Sequence, residues 1–325
     1  MPSIIEVKRQ NSTSRIDQLS DRLTLLPELI ALPNLTIFVA GSYARDEASI
    51  YSDIDLFFVL DGNLSAISNH KISTMRAFSR IIAEADLLKF PAFSNDGEFL
   101  TILERPAITR ELGGRNDDYN NYFTARMLLL LESKPIYGRH TYDDVIRDIV
   151  GAYFRDYTHH PRDFKPVFLI NDIIRFWKTL CLNYEHKRNQ TDDNREKIIK
   201  QKVKNFKLKF SRMLTCFGSI AAIVSAEPNS GPSEIISLLQ LTPYDRLKKA
   251  ADNYPELESE IVALSQQYIW FLEQTNVDEK DLHLRFSDKI FRNDAFNRAE
   301  VFGDSMYTIV KHIAERNGYL RYLLI

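Results

Sequence analysis

Two short apolar runs separated by a glycine-serine pair constrain this chain more than any other feature of its sequence. The run Leu35–Ala40 (LTIFVA) is rich in β-branched and aromatic residues, and residues 53–60 (DIDLFFVL) end in a wholly apolar half. Both runs have the length and composition of buried strands. Between them, Gly41-Ser42 predicts a tight turn into a short helix. The segment is therefore predicted to form a strand, a turn, a short helix and a second strand.

Asp53 and Asp55 lie two residues apart at the start of the second run. Alternate side chains of a strand point to the same face, so both carboxylates are expected beside Gly41 and Ser42. Backbone N–H groups at a helix start, a serine hydroxyl and a glycine without a side chain suit a triphosphate. Paired carboxylates suit Mg²⁺, and two such ions can activate a hydroxyl and neutralise a departing pyrophosphate. The pattern predicts a metal-dependent site for a nucleoside triphosphate.

This segment resembles the signature of the DNA polymerase β superfamily of nucleotidyltransferases, which is Gly-Ser, a spacer and then Asp-x-Asp. The resemblance covers about sixteen residues, and Asp46 stands where glycine is common in the family. It implies an enzyme of the EC 2.7.7 type that transfers NMP or dNMP from a nucleoside triphosphate to a hydroxyl and releases pyrophosphate. Gly41 and Ser42 would hold the triphosphate, and the catalytic Asp53 and Asp55 would bind Mg²⁺, for which Mn²⁺ can substitute.

Such sites usually include a third acidic group from a neighbouring strand. Glu98 begins residues 97–103 (GEFLTIL), which are predicted to form a third strand, and the resemblance makes it the first candidate for this catalytic and metal-binding role. Asp96 is the second candidate and Glu104, at the far end of the run, the third. The family more often uses aspartate, so the sequence leaves the choice between Glu98 and Asp96 open.

The predicted strands all precede residue 104, and helices dominate the rest of the chain. Residues 1–138 are expected to form a nucleotidyltransferase palm with an N-terminal helix and a mixed sheet. Residues 139–325 are expected to form an all-α domain with a basic helix and a C-terminal tail, so the fold class is α+β. Amphipathic helices are predicted over residues 13–30, 65–86, 117–133, 142–157, 164–186, 194–224, 256–275 and 295–317.

A local excess of positive charge marks the helical part, although the whole chain has a net charge of −2. Residues 187–212 contain ten basic residues and three acidic ones. Such a run is either a solvated face or a surface for the phosphates of a nucleotide or of a growing strand. Arg175 and Lys178 share one face of a predicted helix with Asn171. The predicted nucleotide-binding residues beyond the turn are Arg45, Arg175, Lys178, Lys204 and Lys207.

The acceptor of the nucleotide has several candidates at this level. In its length and its large helical part, the chain resembles bacterial anti-phage nucleotidyltransferases. These are the CBASS signal synthases and the Hailong-type enzymes that make single-stranded DNA. This resemblance implies template-independent synthesis of an oligonucleotide signal, a single-stranded product and an effector protein encoded nearby. The alternatives are transfer to a protein, an RNA end or a small molecule, and a non-catalytic partner of the toxin–antitoxin type. Base preference, sugar and oligomeric state stay open.

The C-terminal residues carry one further expectation. The Hailong-type enzymes start their strand on a tyrosine near the C-terminus, and Tyr319 and Tyr322 are the matching residues, whereas the alternative is a tail that packs on the helical core. No secretory signal is apparent, no apolar run approaches the ~18 residues of a membrane span, and Cys181 and Cys216 form no CxxC pair. The expectation is a cytoplasmic protein with reduced thiols and no membrane partner.

Overall fold

The computed structural model describes residues 2–67, 69–91, 93, 97, 100–190 and 194–325. The chain divides into two compact units, Met1–Arg155 and Asp156–Ile325. The division therefore falls later than the expected boundary at residue 138. Helix Arg139–Tyr153 belongs to the first unit because its apolar face packs on the sheet there, with the ring of Tyr142 6.1 Å from that of Phe38.

The first unit combines a mixed sheet with helices. Its described strands are β1 (Leu35–Ala40), β2 (Asp55–Leu60), β3 (Ile102–Glu104) and β4 (Ser133–Tyr137), in the order β3-β2-β1-β4. Strand β1 is antiparallel to β2 and β4, whereas β2 and β3 are parallel, so the mixed sheet is as predicted. The described helices of this unit are α1 (Ile4–Thr24), α2 (Pro27–Ile30), α3 (Gly41–Ala44), α4 (His70–Leu87), α5 (Arg105–Arg110), α6 (Arg115–Tyr119), α7 (Tyr122–Leu131) and α8 (Arg139–Tyr153).

Helix α1 and strand β1 build much of the core of this unit. Every residue of β1 is buried, as its β-branched and aromatic sequence predicts for a central strand. Helix α1 begins at a capping box, in which Ser3 Oγ accepts a hydrogen bond from the Glu6 N–H and the Glu6 carboxylate accepts one from the Ser3 N–H. Its buried apolar face includes Leu19 and Leu23, which pack in the same core as β1.

Strand β4 corrects the prediction that strands end before residue 104. Pro135, which has no N–H for strand pairing, lies within β4, opposite Phe38. In the described sheet β4 is an edge strand, and its pairing shifts register between Ile37 and Phe38, where a proline without an N–H is tolerated. The predicted third strand is also shorter, since Leu100 and Thr101 precede β3 without strand pairing.

Among the described residues, the regular elements of the second unit are helical. An aromatic cluster lies in its core, where the ring of Phe210 is 4.8 Å from those of Phe271 and Phe302. A π-helical turn at Leu208–Arg212 links the tenth and eleventh helices. The helices are α9 (Val167–Asn189), α10 (Arg195–Lys207), α11 (Met213–Val224), α12 (Pro232–Leu239), α13 (Pro243–Ala251), α14 (Glu258–Gln274), α15 (Glu279–Ser287), α16 (Lys289–Arg316) and α17 (Leu320–Leu324).

Both cysteines are free thiols in this unit. Cys216 is fully buried in α11, and burial raises the pKa of its thiol to about 12. Burial also raises the pKa of Cys181. Within the described part of the chain, every helix is too short or too polar to cross a membrane.

Candidate active site

Three of the predicted site residues, Gly41, Ser42 and Asp55, lie where β1 ends and where β2 and β4 begin. Because both neighbours run antiparallel to β1, Ala40 pairs with Asp55 on one side and with Ser133 on the other. The next residue, Gly41, starts helix α3. One end of the sheet therefore brings together the glycine-serine turn, Asp55 and the start of β4.

The two aspartates flank a buried residue. Ile54 is fully buried, whereas Asp53 is exposed and Asp55 is half-buried. This alternation places both carboxylates on the side of the chain opposite the core, although β2 begins at Asp55 and not at Asp53. Asp53 therefore stands in solvent just ahead of the strand, and Asp55 stands in the first position of the strand.

Gly41 brings the turn into contact with Asp55. Its φ is +69°, in the left-handed region that favours glycine, and a Cβ at this position would lie 2.8 Å from Asp55 Oδ2. The carboxylate of Asp55 therefore occupies the space that any other side chain at residue 41 would fill. Ser42, the next residue, is half-buried. The pair Gly41-Ser42 thus lies directly beside one of the two predicted metal ligands.

The carboxylates of Asp53 and Asp55 supply hard oxygen ligands of the kind that Mg²⁺ prefers. No group of three His, Cys, Asp or Glu side chains that could hold a metal occurs among the residues that the structure describes. The predicted third carboxylate, Glu98 or Asp96, lies outside those residues. The described part of the site therefore fits a divalent metal in the chemistry of its donors, and it provides two of the three predicted carboxylates.

Glu104 does not belong to this site. Strands β2 and β3 are parallel, and Glu104 pairs with Leu60, at the opposite end of β2 from Asp55. Five residues of strand separate the two ends by roughly 17 Å. The carboxylate of Glu104 instead accepts a hydrogen bond of 2.8 Å from the N–H of Leu64.

Arg45, predicted to bind the nucleotide, lies in a buried ion-pair cluster. Its side chain is 7% exposed, and its Nε donates to Glu47 Oε2 at 2.9 Å. Its second ion pair is with Glu132, at the end of α7 just before β4. These contacts attach the turn after α3 to the neighbouring strand. A contact of Arg45 with a nucleotide stays a prediction.

The backbone conformation of Asp46 is one that favours glycine, which is common at this position in the family that the segment resembles. Its φ is +60°, a left-handed conformation that glycine adopts without strain and that aspartate tolerates better than most residues. Its carboxylate forms an ion pair with Lys134 of β4 and lies 3.5 Å from Arg9 Nε of α1. These two charged contacts stabilise the turn and offset the strain of the left-handed conformation at an aspartate.

Helix α1 supports the loop between the turn and β2, a role that sequence reasoning missed. Lys8 is 1% exposed, and its Nζ donates to the carbonyl of Glu47 at 3.0 Å. Asn11 donates to the carbonyl of Ala48 at 3.1 Å, and the Ala48 N–H donates to Ser12 Oγ at 3.2 Å. The sequence signal for this role lies on the buried face of α1. That face is apolar in the C-terminal part of the helix, whereas its N-terminal positions are the polar residues Lys8 and Ser12.

Tyr43 connects α1 to the residues next to Asp53. Its ring is fully buried, and its hydroxyl accepts a hydrogen bond of 3.0 Å from Arg15 Nε and lies 3.5 Å from the carbonyl of Ser52. Burial raises the pKa of Tyr43, and the negative charge of Asp53 raises it further, against the opposing effect of Arg15. The phenol therefore stays neutral and acts as a fixed polar support below the loop.

The other predicted nucleotide-binding residues belong to the second unit. On α9, Asn171 and Lys178 are exposed, and Arg175 is half-buried with its guanidinium 3.7 Å from Asp172 Oδ1. All three residues lie within α9, and their role in binding a nucleotide stays a prediction. Lys204 and Lys207 are exposed on α10.

The C-terminal tail packs as helix α17 against α9 and α16. Lys165 Nζ donates to the carbonyls of Asn317 and Gly318 at 3.0 and 3.1 Å, and it lies 4.1 Å from the centre of the Tyr319 ring. Burial raises the pKa of Tyr319 to about 12. The hydroxyl of Tyr322 accepts a hydrogen bond of 3.1 Å from Arg321. In this arrangement the tail is part of the second unit.

Comparison with known families matches residues 24–119 to the family described as nucleotidyltransferase domain. The matched segment contains Gly41, Asp53 and Asp55, whereas nearly all of α1 and the whole of β4 lie outside it. The match supports the resemblance to the DNA polymerase β superfamily and supports nucleotidyl transfer as the general reaction. Comparisons with curated proteins and with solved structures found no significant match.

Proposed function

We propose that this protein is a Mg²⁺-dependent nucleotidyltransferase that passes NMP or dNMP from a nucleoside triphosphate to a hydroxyl acceptor. The observation that carries the proposal is the position of the Asp55 carboxylate against Gly41, with exposed Asp53 on the same side of the chain. This arrangement lies within the segment that matches a nucleotidyltransferase domain. Mn²⁺ is expected to replace Mg²⁺, because carboxylate oxygens suit both ions.

The residues of the turn and of β2 have separate tasks in this proposal. Gly41 leaves room for Asp55, and the backbone N–H groups of the turn with the Ser42 hydroxyl bind phosphate oxygens. Asp53 and Asp55 supply the negative charge that binds the metal, which when bound neutralises phosphate charge and lowers the pKa of the acceptor hydroxyl. The acceptor oxygen bonds to the α-phosphorus, and the bond from that phosphorus to pyrophosphate breaks. Pyrophosphate leaves with the bonding electrons, and the hydroxyl proton passes to solvent.

The first test removes the two carboxylates. The double variant Asp53→Asn/Asp55→Asn is incubated with each α-labelled NTP and dNTP and with Mg²⁺ or Mn²⁺, and pyrophosphate release is measured. We expect a loss of at least ~100-fold, because metal stabilisation contributes several kcal/mol to such a transition state. The control is Asp21→Asn/Asp86→Asn, which removes the same charge from exposed positions on α1 and α4.

Two results would oppose the proposal, one from this test and one from a calorimetric measurement. Undiminished transfer by the Asp53→Asn/Asp55→Asn variant removes these residues from the reaction. Calorimetric binding of an NTP to the wild-type chain without any release of pyrophosphate favours the non-catalytic partner of the toxin–antitoxin type.

For the acceptor, we propose a single strand that grows without a template and that serves as a signal in anti-phage defence, with an effector protein encoded nearby. The tyrosines Tyr319 and Tyr322 are the proposed first acceptors. Support comes from the resemblance of the chain's length and helical part to enzymes of that kind. Tyr322 is half-buried, and the basic helix α10 lies in the same unit.

The acceptor is tested by following label into the protein. A tyrosine-primed strand gives a product that stays with the chain after boiling in detergent and that nuclease shortens. The variant Tyr319→Phe/Tyr322→Phe loses this product, whereas Tyr307→Phe, which changes an exposed tyrosine of α16, keeps it. Label that stays on the double variant shows that initiation lies elsewhere, and label on another protein, an RNA end or a small molecule identifies that acceptor instead.

A further inference from the structure

Four lysines of α10 lie on one side of the helix and are named here the lysine stripe. At 3.6 residues per turn they fall within an arc of about 80°. All four side chains are exposed. The lysine stripe consists of Lys197, Lys200, Lys204 and Lys207.

The positive charges of the stripe act on one another. Partial burial lowers the pKa of Lys204, and the nearby charges of Lys187, Lys200 and Lys207 lower it further. Lys187 contributes from the end of α9, so the positive surface extends beyond one helix. Glu279 opposes this effect, but it lies 3.7 Å from Lys200 and both side chains are more than half exposed. A pair of that kind contributes little, and the repulsion favours a bound anion.

The length of the stripe favours a polymer over a single phosphate. Ten residues of helix separate Lys197 from Lys207, a distance of roughly 15 Å. Charges repeated along such a line match the repeated phosphates of a nucleic-acid backbone. The stripe therefore has the form of a track along which a chain of phosphates can lie.

An aromatic ring beside the stripe favours a single strand over a duplex. Tyr184 of α9 is half-buried, and its hydroxyl shares a hydrogen bond with Asn205, the neighbour of Lys204. It lies one helical turn before Lys187. A partly exposed ring next to a basic track is the arrangement on which unpaired bases stack without regard to sequence.

We propose that the lysine stripe and Tyr184 bind the backbone and one base of a single-stranded nucleic acid. The choice of nucleic acid among polyanions rests on the proposed function, because a nucleotidyl-transfer enzyme can produce such a strand. The binding itself needs no turnover. The stripe grips phosphates through charge, and Tyr184 supplies a stacking contact that a duplex does not offer.

The test measures binding of the full chain to fluorescein-labelled DNA and RNA strands of about 12 nucleotides by anisotropy, without NTP or metal. The variant Lys200→Gln/Lys204→Gln/Lys207→Gln is compared with Lys249→Gln/Lys289→Gln/Lys311→Gln, which removes the same charge from exposed positions elsewhere in the second unit. We expect the stripe variant to bind at least ~10-fold more weakly. The slope of its log binding constant against log salt concentration should be shallower by about 2, since each lost phosphate contact contributes roughly 0.7 to that slope. The control triple variant should bind within about twofold of the wild type.

Two further arms decide the nature of the ligand. Tyr184→Leu is expected to weaken binding of the strand by about fivefold or more, as loss of one stacked base predicts. A duplex of the same length and vesicles containing phosphatidylserine serve as competing polyanions. Equal or tighter binding of either competitor overturns the proposal, and so does equal weakening by the two lysine triple variants.

Failure of this proposal is distinguishable from failure of the proposed function. The Asp53→Asn/Asp55→Asn variant is expected to bind the strand as the wild type does, because it leaves the lysine stripe and Tyr184 unchanged. A wild-type chain that transfers nucleotides but whose stripe variant binds the strand unchanged overturns only the binding proposal. Circular dichroism of each variant confirms that the helices are intact.

Discussion

Gly41 is subject to two independent constraints at a single position. Its left-handed φ of +69° disfavours any L-residue, and its missing side chain leaves the space that Asp55 Oδ2 occupies. Gly113 is subject to only the first constraint, because its φ is +75° and nothing lies within 4 Å of a Cβ built there. The two glycines therefore separate backbone strain from displacement of a carboxylate.

Gly41→Ala is expected to lower the free energy of unfolding by about 1–3 kcal/mol and to reduce nucleotidyl transfer more strongly than the change in stability accounts for. The reason is that the new Cβ forces the Asp55 carboxylate to move. Gly113→Ala should show a similar strain and keep its activity. Urea denaturation and pyrophosphate release check both effects, and equal activity of the two variants contradicts the role given to Asp55.

Tyr319 gives a pH dependence with a defined sign. Burial raises its pKa from 10.0 to about 12, so the unfolded chain releases the proton at lower pH than the folded chain. The free energy of unfolding is therefore unaffected by this group below about pH 10 and falls as the pH rises from 10 towards 12. Tyr319→Phe should lessen that fall, whereas Tyr307→Phe, at an exposed position, should not. Denaturant titrations between pH 10 and 12 measure the free energy of unfolding of each variant. Identical pH dependence of Tyr319→Phe and the wild type would contradict the raised pKa of Tyr319.

At the scale of one element, α1 contacts the loop before Asp53. Nearly all of this helix lies outside the segment that matches the nucleotidyltransferase domain. The contacts of Lys8, Asn11 and Ser12 with the backbone of Glu47 and Ala48 join residues far apart in the chain. A helix that holds a loop in this way determines where the loop's following residues lie. The helix is therefore expected to affect activity as well as stability.

Lys8→Met tests this role of α1. Loss of this buried donor leaves the Glu47 carbonyl without the hydrogen bond, so we expect a loss of about 2–3 kcal/mol in the free energy of unfolding. The control Lys71→Met changes an exposed lysine of α4 and should have little effect. A lower kcat in stable preparations of Lys8→Met indicates positioning of the loop, whereas unchanged stability and kcat contradict the role.

At the scale of the whole molecule, each of the two units has its own core, and the residues that join them are exposed. Arg155 and residues 158–163 are exposed, including Arg162. We expect brief trypsin treatment to cut first at Arg155 or Arg162 and to leave two folded fragments that resist further digestion. Mass spectrometry identifies the cuts. A first cut within α10, inside the second unit, would contradict the division of the chain at residue 155.

The sequence by itself determined the elements whose signals are local. The apolar runs of β1 and β2, the glycine-serine turn between them and the helical periodicity of α9 and α10 are properties of neighbouring residues, so they could be read without knowledge of the fold. The same local pattern predicted Asp55 beside Gly41, where its carboxylate lies.

Only the tertiary structure decided which distant segments meet. Pro135 is locally a breaker of strands, and it joins the sheet because β1 offers an edge position with an irregular register. The ion pair of Arg45 with Glu132 joins residues 87 positions apart. Lys8 meets a carbonyl 39 positions away. Contacts over such separations depend on how the elements pack, and no local pattern of residues contains that information.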